Sequence, residues 1–103
     1  MITEIITLKL PSGLTRAEIM AKFERTAPSW RKNPQLIRKH YLFDEQRGIV
    51  GGVYLWTDKA HALKWHGPEF REQAKRDYGA APQIQIFETP IVVDNITGEI
   101  TTT

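Results

Sequence analysis

Apolar and polar residues alternate from Ile2 to Leu10. Ile2, Ile6, Leu8 and Leu10 fall on one parity; Thr3, Thr7 and Lys9 fall on the other. A period of two is that of a strand with one face against a core. Pro11-Ser12-Gly13 ends it, and the period then changes. Ile19, Met20, Phe23, Ala27 and Trp30 recur at helical spacing and predict an amphipathic helix. Thr15 and Glu18 have the spacing of a capping box at its start. Pro28 falls in its last turn, where proline kinks or shortens a helix, and Asn33-Pro34 marks a turn.

Alternation returns over Gln35 to Asp44 and Ile49 to Trp56. The turn-forming stretch Asp44 to Gly48 joins them, which predicts a hairpin. In the later strand Ile49, Val53 and Leu55 are assigned to the helix side. A second helix is predicted from a cap at Thr57 or Asp58. Its apolar stripe is Ala60, Leu63, Gly67, Phe70, Ala74 and Tyr78, and Gly79 and Pro82 stop it. Gly67-Pro68 interrupts that helix. Proline is favoured in a first helical turn, so the helix should stop near His66 and restart at Pro68. Gln83 to Glu88 reads as a fourth strand, and Ile91 to Val93 as a short extended piece. Residues 1–95 form one domain with a C-terminal arm at about 89–95, and 96–103 a polar, mobile tail.

The order β-α-β-β-α-β gives an α+β, ferredoxin-like fold, an antiparallel sheet with both helices on one face. The other face should be polar if it meets water. Yet both parities of the hairpin strands are apolar: Leu36 and Leu42 oppose Ile37, Tyr41 and Phe43, and Val50, Tyr54 and Trp56 oppose Ile49, Val53 and Leu55. A second copy of the chain is the simplest cover for the second face. The expectation is a homodimer whose sheets meet as a dimeric α/β barrel.

Composition narrows the function. The 14 basic and 12 acidic residues are interspersed, without the clustering a nucleic-acid partner requires. The absence of cysteine excludes disulfides, thiolate metal sites and cysteine nucleophiles. No apolar run is long enough for a membrane span, and the first residues lack the pattern of a signal peptide, so a cytoplasmic protein without a membrane partner is expected. His66 and Glu69 are separated by Gly67-Pro68, and His61 and His66 do not share a helical face, so no metal site is expected.

His40 is a candidate catalytic base because imidazole titrates near neutrality. Arg38, on the same strand parity, would hold an oxyanion. His61 lies off the apolar stripe and reads as solvated. His66 either satisfies backbone groups left open by the helix break or joins Trp65 at a pocket mouth. Tyr54, Trp56, Trp65 and Phe70 supply the aromatic surface a small-molecule pocket uses. The expected substrate-binding set is therefore Tyr54, Trp56, Trp65, His66 and Phe70.

The stretches PQLIRKHYLFDE, GGVYLWTD, AHALKWHGPEF and YGAAPQIQIFETPIVVDN resemble the YdhR-like family of monooxygenases in the dimeric α/β-barrel superfamily. The resemblance runs from about Gln35 to Asn95. It implies a ferredoxin-like protomer, a homodimer and a pocket between sheet and helices. It also implies an oxygenase using no metal, flavin or haem, in which an aromatic or polycyclic substrate reacts with O2 through its own carbanion. The expected function is a cofactor-independent monooxygenase acting on a small aromatic or polycyclic compound. The alternatives are a non-catalytic binder of small hydrophobic ligands and an isomerase or dehydratase on the same scaffold.

Overall fold

In the computed structural model, which describes residues 1–103, the first alternating stretch forms β1 (Ile2–Lys9). Thr15 caps α1 (Arg16–Arg31). Its hydroxyl accepts from the Glu18 N–H at 3.2 Å, and the Glu18 carboxylate accepts from the Thr15 N–H at 3.3 Å. Pro28 stays inside this helix. The hairpin is β2 (Leu36–Asp44) and β3 (Ile49–Trp56). Asp58 caps α2 (Lys59–Trp65) by accepting from the His61 N–H at 3.1 Å. The helix breaks at Gly67 and restarts as α3 (Pro68–Tyr78), which ends on Gly79 in the left-handed region at φ +79°. β4 (Gln83–Glu88), β5 (Ile91–Asp94) and β6 (Glu99–Thr102) follow.

The main sheet has the order β2-β3-β1-β4, with antiparallel neighbours throughout. This is the α+β ferredoxin-like arrangement. No helix is long and apolar enough to cross a membrane. Residues 96–103 differ from the expected tail, because β6 returns alongside β5 as a hairpin with Ile91 opposite Thr102. The Thr89 N–H donates to the Met1 carbonyl at 2.9 Å, and Arg38 pairs with Asp94 at 3.0 Å, tethering this hairpin to β2.

The helix-facing side of β3 is the opposite of the one expected. Val50, Tyr54 and Trp56 are buried, while Val53 and Leu55 face away from the helices. Both parities are apolar, so the larger area decides: two aromatic rings remove more surface from water than a valine and a leucine. The α2 stripe is also displaced. Ala62 is fully buried, whereas Leu63 is half exposed and Ala60 is exposed. The core groups Ile6, Tyr54, Trp56 and Ala62, with Trp30, Phe70, Ile84 and Ile86 packed around them.

Candidate active site

The β2–β3 register shifts between Leu36 and Arg38. Leu36 lies opposite Trp56, and Arg38 opposite Leu55, so Ile37 is an extra residue in β2. Without it, Leu36 and Lys39 would fall on opposite faces of the sheet. Lys39 reaches the helix side by regular alternation with Tyr41 and Phe43, and the bulge brings Leu36 onto that same side, a means by which strands re-aim a side chain. Lys39 then lies opposite Tyr54. Its Nζ is 4.0 Å from the Tyr41 ring centre, 4.4 Å from Trp30 and 4.6 Å from Tyr54.

Lys39, Tyr41, Tyr54, Trp30 and Phe70 line a cavity of about 200 Å³ between the sheet and helices α1 and α3. Two glycines shape its floor. A Cβ at Gly52 would lie 3.0 Å from the Tyr54 ring and 3.2 Å from Lys39 Cε, so a side chain there would displace both. A Cβ at Gly51 would collide with the Ile6 carbonyl oxygen of the neighbouring strand. Polar groups at the rim hold one another. The Thr26 and Tyr41 hydroxyls are 2.6 Å apart, and Lys22 Nζ donates to the Tyr78 hydroxyl at 2.8 Å.

Burial strips water from the Lys39 amine and lowers its pKa from 10.5 to about 7. No carboxylate offsets this, and Lys39 takes part in none of the ion pairs of the chain. Burial, with the Glu4 charge next in weight, pushes the Tyr54 phenol well above its ordinary range. Tyr54 therefore stays protonated and presents an O–H donor.

Behind the Tyr54 and Phe70 rings lies a buried polar cluster. Glu4 and His66 are both almost fully enclosed, with His66 Nδ1 2.6 Å from Glu4 Oε1. Trp56 Nε1 donates to the same oxygen at 3.0 Å, and Glu4 Oε2 has no partner. The His66 ring packs against Phe70 at 4.6 Å and Tyr54 at 4.7 Å between centres. The helix break thus turns His66 inward to a carboxylate on β1.

The predicted site residues divide into separate groups. Tyr54 and Phe70 line the cavity. Trp56 and His66 belong to the buried cluster behind it. Trp65 is half exposed and borders a cleft with His61 and Asn33 on the far side of Trp30. His40 lies opposite Val53 on the sheet face away from the helices and is exposed, so it does not reach the cavity. Arg38 is likewise exposed and paired with Asp94, bordering only a neighbouring depression along β2. His61, expected in solvent, is partly covered beside Asp58 at 3.5 Å. No group of three or more His, Asp or Glu side chains is placed to hold a metal ion.

Lys39, Tyr41, Trp30 and Glu4 belong to the site beyond the residues expected from the sequence. A signal for Glu4 was present: it is the one charged position on the apolar parity Ile2, Ile6, Leu8 of β1. Lys39 shares the parity of Tyr41 and Phe43, but with both parities of β2 and β3 apolar nothing local marks that one as the helix side.

Three solved structures share the fold. SnoaB, a cofactor-independent oxygenase from Streptomyces nogalater, superposes with TM-score 0.57 at 20% identity, covering 85% of this chain and 91% of its own. A protein from Deinococcus radiodurans described as a putative antibiotic biosynthesis monooxygenase gives 0.67 at 13% identity, covering 91% and 97%. The protein YjcS gives 0.60 at 13% identity, covering 86% and 99%. No curated protein sequence matches the chain. Residues 5–93 match the family model described as "Putative mono-oxygenase ydhR", and the chain belongs to that family.

Proposed function

We propose that this protein is a cofactor-independent monooxygenase that oxidises a small, electron-rich phenol in the helix-side cavity of a homodimer. The observation that carries this is the cavity: aromatic faces of Trp30, Tyr41, Tyr54 and Phe70 surround it, with few polar groups among them. Flat aromatic walls fix the plane of a ring, and the Tyr54 hydroxyl supplies a directional donor. At about 200 Å³ the space lies below the roughly 300 Å³ at which pockets for drug-sized ligands begin. That favours one ring over a polycyclic substrate.

The chemistry balances without a further reductant. An ionised phenol carries electron density on its ring carbon, which transfers to O2 and forms a ring hydroperoxide. Loss of water leaves a quinone, so phenol and O2 give quinone and water. The substrate supplies all four electrons. The enzyme orients the ring, stabilises its ionised form and excludes bulk water from the reacting carbon.

The homodimer reading is supported by the open sheet face. Ile5, Leu42, Val53, Leu55 and Phe87 share it by register. The β5–β6 hairpin adds Val93 at 64% and Ile96 at 97% exposure. Apolar side chains gathered among the polar ones of this face are what a second copy would cover. An oxygen electrode with a panel of single-ring phenols and hydroquinones tests the activity. One O2 consumed per quinone formed, with one oxygen atom added to the ring and no hydrogen peroxide released, is the expected result; no uptake and no product from any member contradicts it.

A further inference from the structure

We propose that Lys39 is the charge partner of the substrate: the cavity takes a single-ring phenol in its ionised form, with the phenolate oxygen bound to the Lys39 ammonium. This rests on the cavity being the substrate site and adds the charge state of the ligand and the group that sets it.

Lys39 has three N–H donors when charged, and the protein gives it only ring faces, at 4.0–4.6 Å. A π face attracts a cation but accepts no full hydrogen bond. A largely buried amine left in that condition is unfavourable unless something else completes it. The regular alternation with Tyr41 and Phe43 puts it on the helix side, and the bare backbone at Gly52 leaves it room there. The amine is open to the cavity, so a ligand oxygen can take the place water otherwise holds, and an ionised one gives the strongest bond.

The charged and titratable groups around Lys39 are consistent with an anion. α1 contributes Lys22, β2 contributes Tyr41, β3 contributes Tyr54 and α3 contributes Tyr78. The nearby carboxylate on β1, Glu4, is engaged by His66 and Trp56 behind the wall. With its pKa lowered by burial to about 7, the amine is available in both states near neutrality. The neutral amine takes the hydroxyl proton of the phenol, giving phenolate and ammonium, and the ammonium then holds the oxyanion. One residue thus acts as base and as electrostatic anchor.

The test uses 4-nitrophenol, whose ionised form is yellow, and its neutral methyl ether 4-nitroanisole. Both are titrated into wild type, Lys39→Met and Lys39→Gln, each checked for folding by circular dichroism. In mildly acidic buffer, wild type should develop the phenolate absorbance on binding. Both variants should bind without the colour and about ten- to a hundredfold more weakly. 4-Nitroanisole should bind all three within about twofold. If 4-nitrophenol binds wild type and folded variants equally, with no phenolate band, the inference is overturned while the cavity remains a ligand site. If neither probe binds wild type, the cavity reading fails and the inference with it.

Discussion

Lys39 and Tyr54 face each other across the β2–β3 pair, with the lysine Nζ 4.6 Å from the centre of the tyrosine ring. One is a base whose pKa burial lowers, and the other an acid whose pKa burial raises. Both shifts favour the neutral form, so the site can hold a proton donor and a proton acceptor side by side near neutral pH.

Stability should carry the mark of Lys39. Its pKa lies at about 7 in the folded protein against 10.5 for the free side chain. Between those values the unfolded chain binds more protons than the folded one, so stability rises with pH across the window. Below it both states are charged and the burial penalty is fully present. Lys39→Met should therefore melt higher than wild type near neutrality, with the gap closing toward alkaline pH. Melting curves from about pH 7 to pH 10 check this; parallel pH profiles would contradict it.

The Glu4–His66 pair gives a different signature. His66→Ala leaves a buried carboxylate with only the Trp56 donor, which should lower stability by about 3–5 kcal/mol. Replacing both partners, as Glu4→Leu with His66→Phe, should recover a substantial part of that loss, because buried ion pairs often do no better than apolar side chains of similar size. Urea unfolding of Glu4→Leu, His66→Phe and the double variant against wild type measures the coupling. Additive losses would show that the two side chains act independently.

The adjacent glycines should differ in kind. Gly51→Ala drives a Cβ into the Ile6 backbone of β1 and should prevent correct pairing of the central strands. Gly52→Ala meets side-chain atoms of Tyr54 and Lys39 and the more distant His40 carbonyl. It should cost about 1–3 kcal/mol and weaken 4-nitrophenol binding by filling the cavity floor. Unfolding curves and ligand titrations separate the two; equal effects would contradict this account of the floor.

Much of the fold was legible in the sequence, because its signals are local and chemical. Thr15 and Glu18 form the capping box their spacing predicts, and Gly67-Pro68 breaks the helix where expected. The site was less legible for two reasons. In β3 both alternating sets are apolar, so Val53 and Leu55 looked as fit for the core as Tyr54 and Trp56. In β2 a bulge after Leu36 changes which residues share a face, and Leu36-Ile37-Arg38 contains no glycine or proline to announce it. Once Tyr54 and Trp56 rather than Val53 and Leu55 face the helices, the regular register puts Lys39 in the cavity and turns His40 outward. His66 could be recognised as facing inward only once Glu4 was known to lie opposite it.

Arg38 and His40 should matter to the C-terminal hairpin or the open face more than to binding in the cavity. Arg38 helps hold the Asp94 carboxyl below the usual carboxylate range, together with the backbone N–H groups of Ile96 and Thr97. Arg38→Ala should raise hydrogen exchange across β5 and β6 while leaving the global unfolding midpoint almost unchanged, because exposed ion pairs contribute little. Neither Arg38→Ala nor His40→Ala should change 4-nitrophenol affinity by more than about twofold. A large loss with His40→Ala would return that residue to the substrate site.

A crystal structure with 4-nitrophenol bound would show the contact between the phenolate and Lys39 itself. The ring should lie among Trp30, Tyr41 and Tyr54, with its oxygen about 2.7–2.9 Å from Lys39 Nζ. A ring bound instead on the open sheet face beside His40, or in the cleft between Trp65 and His61, would contradict the account.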